Sequence, residues 1–459
     1  MKRKVLTLLL ALSLVCGSLA GCGEKEQGDK QGGGGNGESG EPLELTLWCT
    51  YTEASTTVLK KIAEKFNQEH GEYHITIENT GSVNQYRTKL ATLKKSDYPS
   101  AFFGVTSAIS EYATASYVTP LQKYIDADED KWTEDMYESV RRAYSDKDGN
   151  LIGGVMGLST KGYMVNVTAL EAAGYKLEDV TSFEKLAKIA QDAVDKGVIK
   201  YGYSVGDGTD IEDMLLYQGV DIVDGGNGYT GEVTKSLYTE GDTYAALKKL
   251  LSIQAELYKN GGAYKNTGGT RGPQGLFTNG TLLFWTCTNS FVYELLDVTL
   301  DFEWAYIPHV GVDENAKYKN SAMVEGTGIF IANTENEAEM QGAYEFIKFL
   351  AKTENQVSWA TYRGYLPYTK EAAASEEWQS YQKENFPSSV RLLEMIQNTS
   401  ADLKFPYAEL TTQILAADSD LNSFVMTDPS GDLDEYIGKA ADTINDSIEV
   451  VNLRKQYQK

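Results

Sequence analysis

Alternating hydrophobic and polar positions predict the first elements of the folded body. Residues 43–48 alternate apolar and polar side chains, which is typical of a half-buried β-strand. A helical spacing follows over 56–69, and a second alternation covers 74–78. Residues 84–95 then predict another helix, and 100–105 a short apolar strand. This β-α-β-α-β order favours a parallel sheet covered by helices.

The same kind of succession resumes later in the chain. Ser182 is a candidate N-cap of a helix that ends near Gly197, and residues 337–352 have a strongly periodic helical pattern. From about residue 370 the pattern is mostly helical. Further strands are predicted at 163–167, 281–286, 302–307 and 328–332. Two α/β units of similar size, with the chain crossing between them, are the simplest arrangement.

The N-terminal residues have the features of an export signal. Three basic residues at positions 2–4 precede an almost wholly apolar segment, 5–15, which is too short for a permanent membrane span. The signal region as a whole ends in Leu-Ala-Gly-Cys at 19–22, which resembles the bacterial lipobox, in which the cysteine, here Cys22, carries a lipid. Residues 23–42 contain eight glycines and no aliphatic or aromatic side chain. We therefore expect a flexible tether that holds the body off a membrane; an ordinary signal peptide followed by a chance cysteine is the alternative.

Composition and charge narrow the class of protein. With 459 residues, of which 41% are hydrophobic, the chain can build a substantial core of two or three domains. The formal net charge of −24 argues against nucleic acid as a partner, because phosphate binding needs a basic surface. Two cysteines, Cys49 and Cys287, lie in the body. Export permits a disulfide, but we expect buried free thiols.

Catalytic and metal-binding motifs are mostly missing from the sequence. His70 and His74 are four residues apart, but Gly71 and the strand predicted from His74 argue against a zinc-binding helix. The acidic segment at 418–422 lacks the glycine and glutamate of a calcium-binding loop. A pair of glycosidase carboxylates is not excluded by counting alone. We expect no metal, no cofactor and no enzymatic activity.

Aromatic and small polar residues recur at the predicted ends of strands. They follow the first strand at 48–51, the third at 103–107 and a later one at 285–290. Ligands of parallel sheets bind beyond the carboxyl ends of the strands. Aromatic rings pack on the apolar faces of sugars, and hydroxyls and amides bond their hydroxyl groups. Core packing is the alternative for any single ring.

Several segments resemble the extracellular solute-binding proteins of ABC importers, the family-1 type that binds carbohydrates and glycerol phosphate. The resemblance covers nearly the whole body, from residue 43 to about 457. It is carried, in family order, by residues 116–121, 162–166, 172–175, 277–284, 304–308, 326–328, 343–350, 359 and 364–367.

The resemblance implies a fold and a division of the chain. The fold class is α/β: a two-lobed, type II periplasmic-binding-protein-like fold, each lobe a mainly parallel sheet flanked by helices, with the ligand cleft between the lobes. Residues 43–157 and 322–365 would form lobe 1, and residues 158–321 and 366–459 lobe 2. Residues 1–21 would be the signal peptide, and residues 22–42 the lipidated cysteine and tether.

The layout is most similar to the glycerol-3-phosphate-binding branch, which implies ligand contacts at Tyr86, Ser159, Ser290, Gly326, Tyr362 and Lys404. That branch binds phosphate with an arginine, and Lys404 stands in its place without the bidentate fork of a guanidinium. A neutral saccharide is therefore favoured. The strand ends and the resemblance together give these candidate ligand-binding residues: Trp48, Tyr51, Glu53, Tyr86, Ser107, Ser159, Trp285, Ser290, Gly326, Thr327, Tyr362 and Lys404.

The expected function is capture of a mono- or oligosaccharide by closure of the two lobes, followed by delivery to the membrane subunits of an ABC permease. The protein would be a monomer, lipid-anchored through Cys22 on the outer side of the cytoplasmic membrane. The alternatives are a binding protein for glycerol-3-phosphate or a glycerophosphodiester, a surface glycoside hydrolase, and a sensor that never delivers its ligand.

Overall fold

We describe the protein from a computed structural model, in which the described residues form ten strands in two sheets. The structure describes residues 41–51, 56–81, 88–205, 210–269 and 271–457. The strands are β1 (Leu43–Cys49), β2 (Tyr73–Asn79), β3 (Ala101–Val105), β4 (Val118–Thr119), β5 (Gly154–Ser159), β6 (Lys161–Asn166), β7 (Tyr201–Ser204), β8 (Leu282–Thr288), β9 (Trp304–Pro308) and β10 (Glu325–Ala332).

Helices of very different length cover these sheets. Within the described ranges they are α1 (Thr57–Glu69), α2 (Ile109–Thr114), α3 (Gln122–Ile125), α4 (Glu138–Ala143), α5 (Val167–Ala172), α6 (Phe183–Asp195), α7 (Asp210–Gln218), α8 (Asp224–Asn227), α9 (Gly241–Lys259), α10 (Gln274–Thr278), α11 (Val292–Leu296), α12 (Glu337–Leu350), α13 (Thr353–Arg363), α14 (Lys370–Ala374), α15 (Glu376–Asn385), α16 (Ser389–Gln397), α17 (Thr411–Thr427) and α18 (Leu433–Tyr457).

The first sheet has the strand order β2-β1-β3-β10-β4, and β5 also pairs with β10. Strands β1, β2 and β3 run parallel, as the early alternation predicts. The second sheet has the order β7-β8-β6-β9, in which β7 and β8 are parallel. The two-lobed α/β fold expected from the sequence is confirmed.

One part of the expected fold is wrong, because both sheets are mixed and not mainly parallel. Strand β10 pairs antiparallel with β3, β4 and β5. Strand β6 pairs antiparallel with both β8 and β9. The reason is topological: β10 enters the first sheet only after the chain has built the second one, and therefore approaches β3 from the opposite end.

Local signals placed most elements correctly. Ser182 caps α6 by accepting a hydrogen bond from the Lys185 N–H, as its position predicted. The periodic helix over 337–352 is confirmed as α12. Of the helix predicted over 84–95, residues 84–87 lie outside the described residues and 88–90 are helical, while a turn and a 3-10 helix at Lys95–Asp97 follow. None of the helices in the described ranges is long and apolar enough to cross a bilayer.

Two hydrophobic clusters fill the body. Their membership is related to the predicted lobe boundaries but does not test them. Phe102 and Phe330 stack in the cluster beneath the first sheet, and Phe183 and Phe284 belong to the cluster of the second. Buried residues between Ala372 and Ile396 pack in the first cluster, and those from Leu403 onward in the second. The division of lobes given above stays a prediction.

Both body cysteines lie in the first of these clusters. Cys49 and Cys287 are buried, and they are not joined in a disulfide. Burial raises the pKa of the Cys287 thiol well above its usual value, which keeps it protonated.

Candidate functional site

Three side chains meet where β1 ends and β10 begins. The Tyr51 hydroxyl lies 2.6 Å from that of Tyr365 and 3.2 Å from the Thr327 Oγ1. The Tyr51 ring packs against Phe103 and Trp359, with ring centres 5.5 and 5.4 Å away. Burial raises the pKa of Tyr51 well above its usual value, so the phenol stays a neutral donor. We call Tyr51, Thr327 and Tyr365 the tyrosine–threonine cluster.

The candidates Ser159 and Gly326 lie beside this cluster, at the junction of the two sheets. Ser159 is buried at the end of β5 and faces Glu325 across the ladder. Gly326 has φ 134°, and a Cβ built on it would lie 1.9 Å from the Gly157 carbonyl oxygen. Only glycine fits there, because the φ angle and the close approach both exclude a side chain.

Ser290 lies in a segment that ties the second sheet to the end of α13. Its Oγ is 2.5 Å from the Thr288 Oγ1. The neighbouring Asn289 accepts a hydrogen bond from the Thr160 N–H at 2.7 Å and donates one to the Gly364 carbonyl at 2.8 Å. Sequence reasoning named Ser290 and missed Asn289, the residue that joins the two segments.

The two candidate tryptophans occupy buried positions. Trp285 is fully buried and packs against Phe277 and Phe291 at 5.7 and 5.3 Å between ring centres. Trp48 is 6% exposed; its Nε1 donates to Glu78, and the Lys89 ammonium lies 4.3 Å from its ring centre. Both rings therefore pack in the interior of the structure.

The remaining described candidates lie around the same region. Tyr362 is half-buried against Trp359, at 6.2 Å between ring centres. The Ser107 carbonyl accepts a hydrogen bond from the Thr411 hydroxyl at 2.7 Å, which joins the end of β3 to α17. Glu53, Tyr86 and Cys22 lie outside the described residues.

Lys404 lies apart from the tyrosine–threonine cluster, at a cavity of about 230 Å³. The lining includes Thr106, Arg142, Val324 and Phe405. The Lys404 ammonium is 3.5 Å from the centre of the Tyr229 ring. Burial lowers the pKa of Lys404, and the nearby Arg142 charge acts in the same direction. The cavity walls thus carry an excess of positive charge in an acidic protein.

A buried group of charged residues lies on the other side of the sheet junction. The Lys161 ammonium is 3.4 Å from Glu325 and 3.6 Å from Asp213. His309 bonds Asp213 at 3.1 Å through Nδ1. Burial raises the pKa of Glu325 to about 8, although the Lys161 charge opposes that shift. Over the described ranges, no group of three or more His, Cys, Asp or Glu side chains has the arrangement of a metal site.

Sequence reasoning missed two further residues of the junction, Arg363 and Tyr365. Both belong to the segment that ends in Gly-Tyr-Leu-Pro, which carries part of the resemblance. Tyr365 completes the tyrosine–threonine cluster. Arg363 lies against the Tyr51 ring. The position of Tyr365, two residues before Pro367 in this motif, was a signal that could have identified it as a site residue. No local signal in the sequence marked Arg363.

The chain folds into a two-lobed α/β body, and its sheets meet at a cluster of hydroxyls and aromatic rings. This architecture is typical of proteins that close around a small solute. The chain belongs to the bacterial extracellular solute-binding protein family, whose model matches residues 61–387. Proteins of this family serve as solute-binding components of ABC importers.

Named relatives agree with this assignment. The chain is 21% identical over 361 residues to the sn-glycerol-3-phosphate-binding periplasmic protein UgpB of Pectobacterium atrosepticum, covering 77% of this chain and 79% of that one. Among solved structures it is similar to the ABC substrate-binding protein Lmo0181 of Listeria monocytogenes in complex with cycloalternan, with a TM-score of 0.72, 17% identity and coverage of 89% and 99%. It is also similar to UgpB of Mycobacterium tuberculosis in complex with glycerophosphocholine, with a TM-score of 0.71 and 16% identity. This match covers 90% of this chain and 99% of that one.

Proposed function

We propose that the protein captures a carbohydrate, a mono- or oligosaccharide, between its lobes and delivers it to the permease of an ABC importer. The observation that carries the proposal is the tyrosine–threonine cluster. Its three hydroxyls each donate or accept, which is what sugar hydroxyls require, and the rings around Tyr51 offer faces for the apolar side of a sugar.

Closure follows from the position of this cluster. Thr327 lies in β10, whose first residues pair with the end of β5, one residue before β6 begins the second sheet. A ligand that contacts groups on both sides of this junction favours the closed state, since those contacts exist together only when the lobes approach. Such a protein binds its ligand stoichiometrically and leaves it chemically unchanged.

A second candidate ligand is glycerol-3-phosphate or a glycerophosphodiester. The supporting observation is the Lys404 cavity, where Arg142 adds a second positive charge near the position that corresponds to the phosphate-binding arginine of that branch. Both the UgpB relatives and the UgpB structure fit this candidate.

We further propose that the mature protein is a monomer held on the outer side of the cytoplasmic membrane by a lipid on Cys22. The proposal rests on the export signal and the lipobox-like segment, followed by a glycine-rich tether.

Thermal shift followed by titration calorimetry tests the ligand class. The panel contains neutral mono- and oligosaccharides, glycerol-3-phosphate and glycerophosphocholine. We expect an oligosaccharide to raise the melting temperature, since a ligand at one hundred times its Kd adds about 2.7 kcal/mol of stability. Binding at 1:1 with the sugar recovered intact by chromatography would complete the expected result, and released products would contradict it.

The variant Thr327→Val tests the site itself. It keeps the side-chain shape and removes one hydroxyl of the cluster, so we expect a roughly 2- to 12-fold weaker Kd. Thr443→Val is the matched control, because Thr443 lies in α18 and its hydroxyl donates to a carbonyl of its own helix, that of Lys439. Equal affinities of the two variants would place the ligand elsewhere.

A further inference from the structure

Arg363 is a buried cation beside the tyrosine–threonine cluster. It is the last residue of α13 and is only 8% exposed. Its guanidinium carbon lies 4.8 Å from the centre of the Tyr51 ring and 4.3 Å from that of Tyr293. Because Tyr51 follows β1 and Tyr293 follows β8, the cation lies between residues of the two sheets.

The two tyrosine rings leave the hydrogen-bonding edge of the guanidinium unused. An aromatic ring stabilises a guanidinium group by attraction between the ring face and the positive charge. The five N–H donors of the guanidinium point outward in the plane of that group and remain available for hydrogen bonds. The Nε is buried without a hydrogen-bond partner in the described part of the chain. An ionised group buried with unused donors is costly unless an acceptor arrives.

No carboxylate of the described residues compensates this charge. None lies within 4.0 Å of the Arg363 nitrogens. The nearest acidic residue along the adjoining helix, Glu294, pairs with Arg271 at 2.5 Å and accepts the Tyr293 hydroxyl at 2.7 Å. A cation at a helix C-terminus is favourable, but that effect leaves the buried Nε donor without an acceptor.

We propose that Arg363 is a specificity-determining residue, whose guanidinium edge receives an oxyanion on the ligand. The oxyanion is a carboxylate, as in a uronic acid, or a phosphate monoester, since both match the arginine fork with two parallel hydrogen bonds. The cluster hydroxyls beside it then bind the neighbouring sugar or polyol hydroxyls. This inference rests on the proposed function and narrows the ligand to one that carries a carboxylate or a phosphate group.

Matched ligand pairs test the inference by calorimetry on the full-length chain. The pairs are galactose and galacturonate, galactobiose and digalacturonate, glucose and glucose 6-phosphate, and glycerol and sn-glycerol 3-phosphate. We expect the acidic member of at least one pair to bind more tightly, and the pair that does so tells a carboxylate from a phosphate. A charged hydrogen bond contributes about 1.5–3 kcal/mol, so Arg363→Gln should weaken that ligand about 10- to 150-fold.

Three variants show whether Arg363 recognises the ligand, and a fourth, Lys404→Gln, tests the other candidate cation. Arg363→Gln should abolish the preference for the acidic member, and Arg363→Lys should retain part of it, since charge survives and the fork does not. Arg391→Gln removes the same charge from an exposed position of α16 and should leave all affinities unchanged. Melting temperatures of the unliganded variants show that each one is folded.

The possible results of these measurements separate the inference from the proposed function. A preference that survives Arg363→Gln but disappears in Lys404→Gln assigns the oxyanion to the Lys404 cavity and overturns the inference. Equal binding of neutral and acidic members also overturns it, and leaves the proposed carbohydrate function standing. If no sugar or polyol of the panel binds, the proposed function fails, and the inference with it.

Discussion

Gly326 shows how a single residue sets the geometry of the sheet junction. Its φ of 134° lies in a region that side chains rarely adopt, and the Gly157 carbonyl fills the space where a Cβ would go. The residue therefore lets β10 approach β5 closely, directly before Thr327 of the tyrosine–threonine cluster. The cluster depends on this approach.

The variant Gly326→Ala should destabilise the protein by at least about 3 kcal/mol, because backbone strain of 1–3 kcal/mol adds to a clash with main-chain atoms. Urea denaturation measures the change. Gly438→Ala is the control: Gly438 lies within α18 with nothing near its Cβ position, so alanine there should stabilise by about 0.5–1 kcal/mol. Similar effects of the two substitutions would contradict our account of the junction.

At the scale of elements, β6 and β10 are joined by the Lys161–Glu325 ion pair across the two sheets. Around it face Asp213 from α7, His309 after β9, and Asp418 from α17. Burial raises the pKa of Glu325 to about 8 and that of Asp418 to about 7. Acidic groups outnumber bases here, so part of the negative charge is neutralised by protons.

This arrangement predicts that stability falls as the pH rises. Between about pH 5 and 8 the folded state holds the Glu325 proton and the unfolded chain releases it, so the free energy of unfolding declines by at most about 1.4 kcal/mol per pH unit for each such carboxyl. Only below the ordinary pKa of 4.5 are both states protonated and the contribution fully present. Urea titrations at pH 5, 6, 7 and 8 measure the slope.

Glu325→Gln should make that slope shallower, since glutamine cannot ionise, while Asp418 keeps the part that it contributes near pH 7. Glu449→Gln changes an exposed carboxyl on α18 and should leave the wild-type slope unchanged. An unaltered slope in Glu325→Gln would mean that another group titrates.

At the scale of the whole molecule, the proposed lipid anchor on Cys22 would hold the binding body at the membrane. Cys22→Ser removes the proposed lipid acceptor, and we expect the protein to move from the membrane fraction to the medium, measured by immunoblotting of fractionated cells. Cys49→Ser is the control, because its thiol is buried in the body and distant in sequence from the lipobox-like segment. Equal membrane retention of both variants would exclude Cys22 as the anchor.

The sequence predicted much of the fold because the relevant signals are local. Alternation over 43–48 reports one buried face of β1, and Ser182 announces α6 through its own hydroxyl. Of the candidate site, Tyr51 and Thr327 were named from a strand end and a family motif, and the structure brings them together. The antiparallel entry of β10 was missed because strand direction within a sheet depends on chain crossings, which no local pattern records.

By itself, then, the sequence determined the class of protein: a two-lobed α/β solute-binding body, with hydroxyl and aromatic groups where the sheets meet. Only the tertiary structure decided that His309 bonds Asp213 inside a buried charged group, and that Trp285 belongs to the core. It also placed Arg363 between Tyr51 and Tyr293. The physical reason is that burial and electrostatic partners arise between residues distant in the chain, and their effect on a charge exists only once water is excluded around it.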